Sequence, residues 1–193
     1  AGEVQADIVV DSISINDLAV PAIWLRSRWD FVQNRAGILV QQRENLDTLV
    51  RGFYAPSQKR YYARATLDSV ELSALDPLLK GVIEKTGGNA DVDIALRGSG
   101  KEATLSGQIA VRDFTTTVDF TQVTYTMPRA VIEVRNNHLT AEGVPLYDPE
   151  KNEGLFSIDL NLEHLSNISY SVKVLPKELM VCLLYTSPSP RDS

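Results

Sequence analysis

Apolar and polar side chains alternate along much of this 193-residue chain. Val92, Ile94 and Leu96 alternate with Asp91, Asp93, Ala95 and Arg97; beyond Gly98-Ser99-Gly100, Leu105, Ile109 and Val111 alternate with Thr104, Ser106, Gln108, Ala110 and Arg112. Successive side chains of a strand point to opposite faces, so a period of two predicts a hairpin with one dry and one wet face. The same period places Val118 and Phe120 against Thr117 and Asp119, and Val123 and Tyr125 against Thr124 and Thr126. It recurs where Phe156, Ile158, Leu160 and Leu162 alternate with Ser157, Asp159, Asn161 and Glu163, and where Ile168, Tyr170, Val172 and Val174 alternate with Ser169, Ser171 and Lys173. Nearer the N-terminus, Val4, Ala6, Ile8 and Val10 share one side before a slip at Asp11 that a bulge would absorb. Tyr61, Ala63, Ala65 and Leu67 alternate until Val70 and Leu72 resume on a shifted count, while residues 35–50 show no clear period.

Punctuation divides these runs. Asp76 as cap, Pro77 at the first helical position, an apolar stripe of Leu75, Leu78, Leu79, Val82 and Ile83, and the Gly87-Gly88 stop predict one short helix at about 76–86, lying on the sheet. Pro21 belongs at an edge or break, Pro128 is expected to end a strand, and Asn136-Asn137 suits a tight hairpin. Residues 54–60 and 144–154 read as loops, with Asp148 a turn residue before Pro149. The chain is therefore expected to be mainly β, and what covers its dry face decides the fold. A second sheet would make a sandwich; lipid would make a conduit.

Composition removes several function classes. A net charge of −6 with scattered Lys and Arg argues against nucleic acid. No apolar run approaches the roughly 20 residues of a membrane-spanning helix. Cys182 has no partner cysteine, and His138 and His164 stand singly, so neither a disulfide nor a zinc site is expected. The fragment ALRGSGKEAT fails as a phosphate-binding loop, with Ala95 where Gly is required and Glu102 where Ser or Thr is required. Asp91 and Asp93 read as solvated charges on the wet face, and Trp24 and Trp29 as core aromatics. Residues 167–169 match a glycosylation sequon at a strand start. No catalytic residue, cofactor or metal ligand emerges, and no enzyme is expected. The chain opens at Ala1 inside an alternating run, as a piece of a longer protein would. Residues 182–193, CLLYTSPSPRDS, resemble translated sequencing-adapter read-through and are expected to be a non-native or disordered tail.

From about residue 75 to 181 the sequence resembles the C-terminal region of the TamB family, the inner-membrane component of the translocation and assembly module, within the AsmA-like group and in its Bacteroidota-type form. The resemblance is carried by LDPLLKGVIEKTGGNADVDIALRGSGKEATLSGQIAVRDFTTTVDFTQVTYT and RAVIEVRNNHLTAEGVPLYDPEKNEGLFSIDLNLEHL, with Leu78, Gly98, Leu105, Gly107, Val118, Asp119, Tyr125 and Thr126 at the family's motif positions. It implies a curled antiparallel sheet forming an open apolar groove, a β-taco. It divides the chain into a strand-rich groove segment at 1–74, a TamB-type β-groove domain at 75–181 and the tail at 182–193. It further implies a periplasmic location, an inner-membrane anchor on the full-length protein, phospholipid transport toward the outer membrane, and a TamA/BamA-type outer-membrane barrel as partner.

On that expectation the groove is lined by Val92, Ile94, Leu96, Leu105, Ile109, Val111, Val118, Phe120, Phe156, Ile158, Leu160, Leu162, Tyr170 and Val172, which would contact phospholipid acyl chains. Exposing two acyl chains to water costs on the order of 20 kcal/mol, and an apolar trough removes most of that cost. The competing expectation is an assembly scaffold that presents strand edges to outer-membrane β-barrel proteins without carrying lipid.

Overall fold

The computed structural model describes residues 2–11, 13–15, 18–20, 22–77, 79–162 and 169–180. They form β1 (Glu3–Val10), β2 (Ile13–Ile15), β3 (Leu18–Val20), β4 (Ile23–Asp30), β5 (Arg35–Gln42), β6 (Thr48–Ala55), β7 (Arg60–Glu71), β8 (Ile83–Ser99), β9 (Glu102–Val118), β10 (Val123–Arg135), β11 (His138–Tyr147), β12 (Glu153–Asn161) and β13 (Ser169–Pro176). Eleven of these strands make one antiparallel sheet in the order β1-β4-β5-β6-β7-β8-β9-β10-β11-β12-β13; β2 and β3 pair separately as a hairpin. Apart from that inserted hairpin, each strand pairs with its neighbour in sequence, as short turns permit. The outer strands β1 and β13 do not pair with each other, so the sheet is curled and open rather than closed into a barrel. The strands on either side of residues 74 and 75 belong to this one sheet, because β7 and β8 pair from Arg60↔Ser99 to Glu71↔Asn89.

The hairpin tips follow the local chemistry. Asn136 and Asn137 both take positive φ, 50° and 68°, as a tight turn between β10 and β11 requires. Asn137 also ties this tip to β9: its Oδ1 accepts the Leu105 N–H at 2.5 Å, and its Nδ2 donates to the Ala103 carbonyl at 2.8 Å. The turn between β8 and β9 falls at Gly100 and Lys101 rather than on Gly98-Ser99-Gly100, since Gly98 and Ser99 remain in β8, paired with Ala103 and Glu102.

A row of irregularities crosses the middle strands. The register shifts between Leu67 and Val70 in β7, on both sides of Gly87 in β8, and between Ala141 and Val144 in β11. Ser69, Gly88, Asp113 and Gly143 take positive φ along this row. In β9 and β10 the core-facing positions step by three, Val111 to the partly buried Phe114 and Met127 to Ala130, instead of by two. A bulge turns the strand while keeping the dry side chains on one face, so five neighbouring strands share a bend. The shifted count of Val70 is thus one bent strand. Pro128 does not end β10; it sits inside the strand beside this bend, where a missing N–H is tolerated. The slip at Asp11, by contrast, is the end of β1 rather than a bulge within it.

The helix expected at 76–86 is absent. Residues 72–75 form a single 3-10 turn, turns follow, and β8 begins at Ile83; Leu78 lies outside the described residues. Asp76 caps no helix, and Gly87-Gly88 lies inside β8 instead of ending one. The Asp76 carboxylate accepts the N–H of Thr86, at 3.1 and 3.2 Å, and Ile83 and Glu84 pair with Val118 and Thr117 of β9. A helix of under about 12 residues is marginal by itself, and ladder bonds to β9 satisfy the same backbone groups. Val181, His164, Ile168 and residues 182–193 lie outside the described residues, as does Pro21.

The buried core is small. Ala90, Val111, Met127, Ala130, Ala141, Val144 and Leu146 cluster on one face beside the bend, covered by Leu72 from the 3-10 turn and Leu179 from the segment after β13. Tyr125 donates its hydroxyl to the Met180 carbonyl at 2.7 Å, so the segment after β13 reaches back to β10. Among the described residues no helix is long and apolar enough to cross a membrane.

Candidate functional site

Cross-strand partners point to the same side of a sheet, so the registers assign every strand residue to a face. From one edge to the other, Ile8 is opposite Leu25, Leu25 opposite Val40, Val40 opposite Val50 and Val50 opposite Ala65. The row continues through Ile94, which faces Ala65 and Gly107. Val92 pairs with Ile109, Ile109 with Ile132, Ala141 with Ile158 and Ile158 with Val172. Ser27, Gln42 and a few glycines aside, the strand positions on this face between the bend and the far hairpin tips are apolar. Its flanks are open to water: Val4 and Ile8 in β1 are 56% and 52% exposed, and Tyr170 and Val172 in β13 are 77% and 53% exposed. The centre is half-buried, and only the end beside the bend is fully closed.

The opposite face is polar and laced with arginine–carboxylate pairs. Arg26 and Arg28 of β4 pair with Asp7 and Glu3 of β1. Arg64 of β7 grips Asp93 of β8 in a two-pronged contact, Nε to Oδ1 at 2.7 Å and Nη2 to Oδ2 at 2.6 Å. Arg112 pairs with Asp91, which also accepts the Ser69 N–H freed by the bulge in β7. The guanidinium of Arg64 holds the Asp93 carboxyl below its ordinary range, and Arg112 does the same for Asp91. Asp91 and Asp93 thus lie on the wet face as their spacing indicated, each paired with an arginine of a neighbouring strand.

Eleven of the expected lining residues share the dry face: Val92, Ile94, Leu96, Leu105, Ile109, Val111, Phe156, Ile158, Leu160, Tyr170 and Val172. Three stand apart. Phe120 lies in the turn after β9 and is 95% exposed, because β9 ends at Val118 and the alternation stops there. Val118 is the terminal residue of β9, beyond the bend, between Val123 and Ile83. Leu162 follows β12 and donates its N–H to the Asn137 carbonyl at 2.8 Å. Compared with protein-family models, curated proteins and solved structures, the chain gives no significant match.

Sequence reasoning missed the contribution of β4 to β6, where Leu25, Trp29, Ile38, Val40, Val50 and Tyr54 join the dry face. Leu39 and Trp24 mask the period there by placing large apolar groups on the polar face. Trp24 is not a core aromatic: it lies on the polar face, half-buried, with Arg26 5.7 Å from its ring. The discoverable signal was the pair Ile38 and Val40 read as i and i+2 across Leu39.

The closed end depends on a strap. Leu179 is 8% exposed and seats on Gly154 of β12, where a Cβ would collide with the leucine side chain. Asp148 accepts the Met180 N–H at 2.9 Å and anchors the strap beside β11.

Proposed function

We propose that this chain is a segment of an open β-trough that shields phospholipid acyl chains on their way between the inner and outer membranes. The observation that carries the reading is the apolar face running through eleven registered strands and exposed along both flanks. Among the described residues, the only other sheet is the two-stranded hairpin β2–β3, far too small to cover that face. The resemblance to the TamB family supports a periplasmic setting, an inner-membrane anchor on the whole protein and a TamA/BamA-type barrel as partner. No catalysis is part of this reading. Acyl chains rest on aliphatic side chains that offer little to trap them, while the head group stays in water at the open flank.

The test is native mass spectrometry of the purified chain, with expected retention of phospholipid. Ile109→Arg and Leu160→Arg place a cation on the half-buried dry face, and both variants should keep their β circular dichroism and lose the lipid. A wild-type chain that never carries or transfers phospholipid overturns the reading. Unfolding of both variants would mark a closed core, because an unpaired buried charge is not tolerated.

A second reading is an assembly scaffold for outer-membrane β-barrel proteins and autotransporters. It is favoured by β13, a free edge strand with all eight residues exposed. Photo-crosslinking from Ser171 to barrel strands, in a chain that carries no lipid, would select it.

A further inference from the structure

The polar face carries a second feature independent of the trough. The chain has a net charge of −6, yet five arginines, Arg35, Arg51, Arg60, Arg64 and Arg97, gather on β5 to β8. By register Arg51 lies opposite Arg64, and Asp93 is the acidic residue set among them. Asp93 is committed to Arg64. Arg35, Arg51, Arg60 and Arg97 have no carboxylate within ion-pair distance among the described residues. Two acids border the group. Asp30, opposite Arg35, uses its carboxylate to accept the N–H groups of Val32 and Gln33, and Glu102 stands at the β9 end of the neighbouring hairpin.

Aromatic rings hold two of these cations, Arg35 and Arg97, in place. Phe53 and Tyr62 are cross-strand partners with centroids 5.9 Å apart; the Arg35 guanidinium lies 3.7 Å over Phe53, and that of Arg97 lies 5.6 Å from the Tyr62 centroid. The result is a four-layer stack, cation–ring–ring–cation, across β5 to β8. Stacking occupies the guanidinium face and leaves its N–H edge turned toward water. Beside the stack, Phe53, Arg60, Tyr61, Tyr62, Arg97 and Gly98 line a shallow depression of ≈ 380 Å³. By register Tyr61 and Gly98 belong to the dry face, where Gly98 leaves room for the Tyr61 ring, whose hydroxyl donates to the Glu102 carbonyl at 3.0 Å.

We propose that this depression binds a phosphate ester, with Arg60 and Arg97 as its two guanidinium clamps and the Phe53–Tyr62 pair as its floor. Planar forks match the oxygens of a phosphoryl group in pairs, and Arg97, already stacked on Tyr62, loses little freedom on binding it. Like charges crowd together on an acidic protein only at a cost, and a bound anion removes that cost. The phosphate could belong to a soluble ester or to a lipid head group, and the chemistry at the clamps is shared.

The experiment uses the full chain and two probes, glycerol phosphate by isothermal titration and vesicles of phosphatidylcholine with or without phosphatidic acid by co-sedimentation. Saturable binding is expected with at least one probe, weakened about tenfold or more for each of Arg60→Gln and Arg97→Gln, since a hydrogen bond to a charged group is being removed. Arg129→Gln, which removes an exposed arginine elsewhere on the polar face, should bind as the wild type does. Response to glycerol phosphate identifies a soluble ester, and response to phosphatidic acid alone identifies a head group. Binding of neither probe, equal loss in Arg129→Gln, or a preference for polyglutamate over both probes overturns the proposal. Because both clamp residues lie on the face away from the trough, co-purified phospholipid should persist in their variants, so this proposal and the trough reading fail separately.

Discussion

Asp148 joins two turns that the sequence does not connect. It is 3% exposed, and its carboxylate accepts the N–H groups of Glu150, Asn152 and Met180, each at 2.9 Å, and the Asn152 side-chain amide at 2.9 Å. Burial would raise its pKa, but these donors outweigh it and hold the carboxyl below its ordinary value of 3.8. A folded-state value below the unfolded one contributes stability above the unfolded pKa and loses it as pH falls through the folded value. Protection of the Met180 amide from hydrogen exchange, corrected for intrinsic rates, should therefore hold at neutral pH and collapse once acid reaches the lower carboxylate range. Asp148→Asn should show the loose strap already at neutral pH. Gly107 supplies a second test. Its φ is +141°, and a Cβ there would meet the Asp93 carbonyl of the neighbouring strand. Gly107→Ala is expected to cost about 1–3 kcal/mol, read as a lower urea midpoint.

For the strands, the bend is the informative case. Asp113 holds φ at 50° in the middle of β9. Asp113→Val forces a β-branched residue into that conformation and should destabilise by about 1–2 kcal/mol, while Asp113→Gly should be neutral or stabilising in the same chemical denaturation series. Strand identity was legible where one face is all apolar, as in β8, β9 and β12, because period two survives there without help from tertiary structure. It was illegible in β5, where Leu39 sits on the polar face and breaks the pattern. The false helix arose from a different cause. Leu75, Leu79, Val82 and Ile83 fit a helical stripe locally, but Ile83 is recruited by Val118, thirty-five residues downstream, and no local pattern encodes that pairing. Pro128 misled for the same reason: its acceptability depends on the neighbouring Asp113 taking an unusual φ. The basic stack was equally hidden, since Arg35, Phe53, Tyr62 and Arg97 come together only through register.

The molecule as a whole exposes 13425 Å², whereas a compact monomer of this mass exposes about 9,100 Å². The uncovered dry face contributes to that surplus, and its flanks are where it meets water. An exposed edge strand with an apolar side invites pairing with another chain. Val172→Lys on β13 should accordingly lower concentration-dependent association in analytical ultracentrifugation while leaving the circular dichroism of the sheet unchanged. The row of irregularities crossing β7 to β11 has a mechanical consequence. Pleating a thin plate along a line makes it resist flexing lengthwise and leaves it free to splay sideways. Because this line runs from strand to strand, a sheet so pleated should hold its two edge strands at a set separation and hinge instead between the strand ends on either side of the crease.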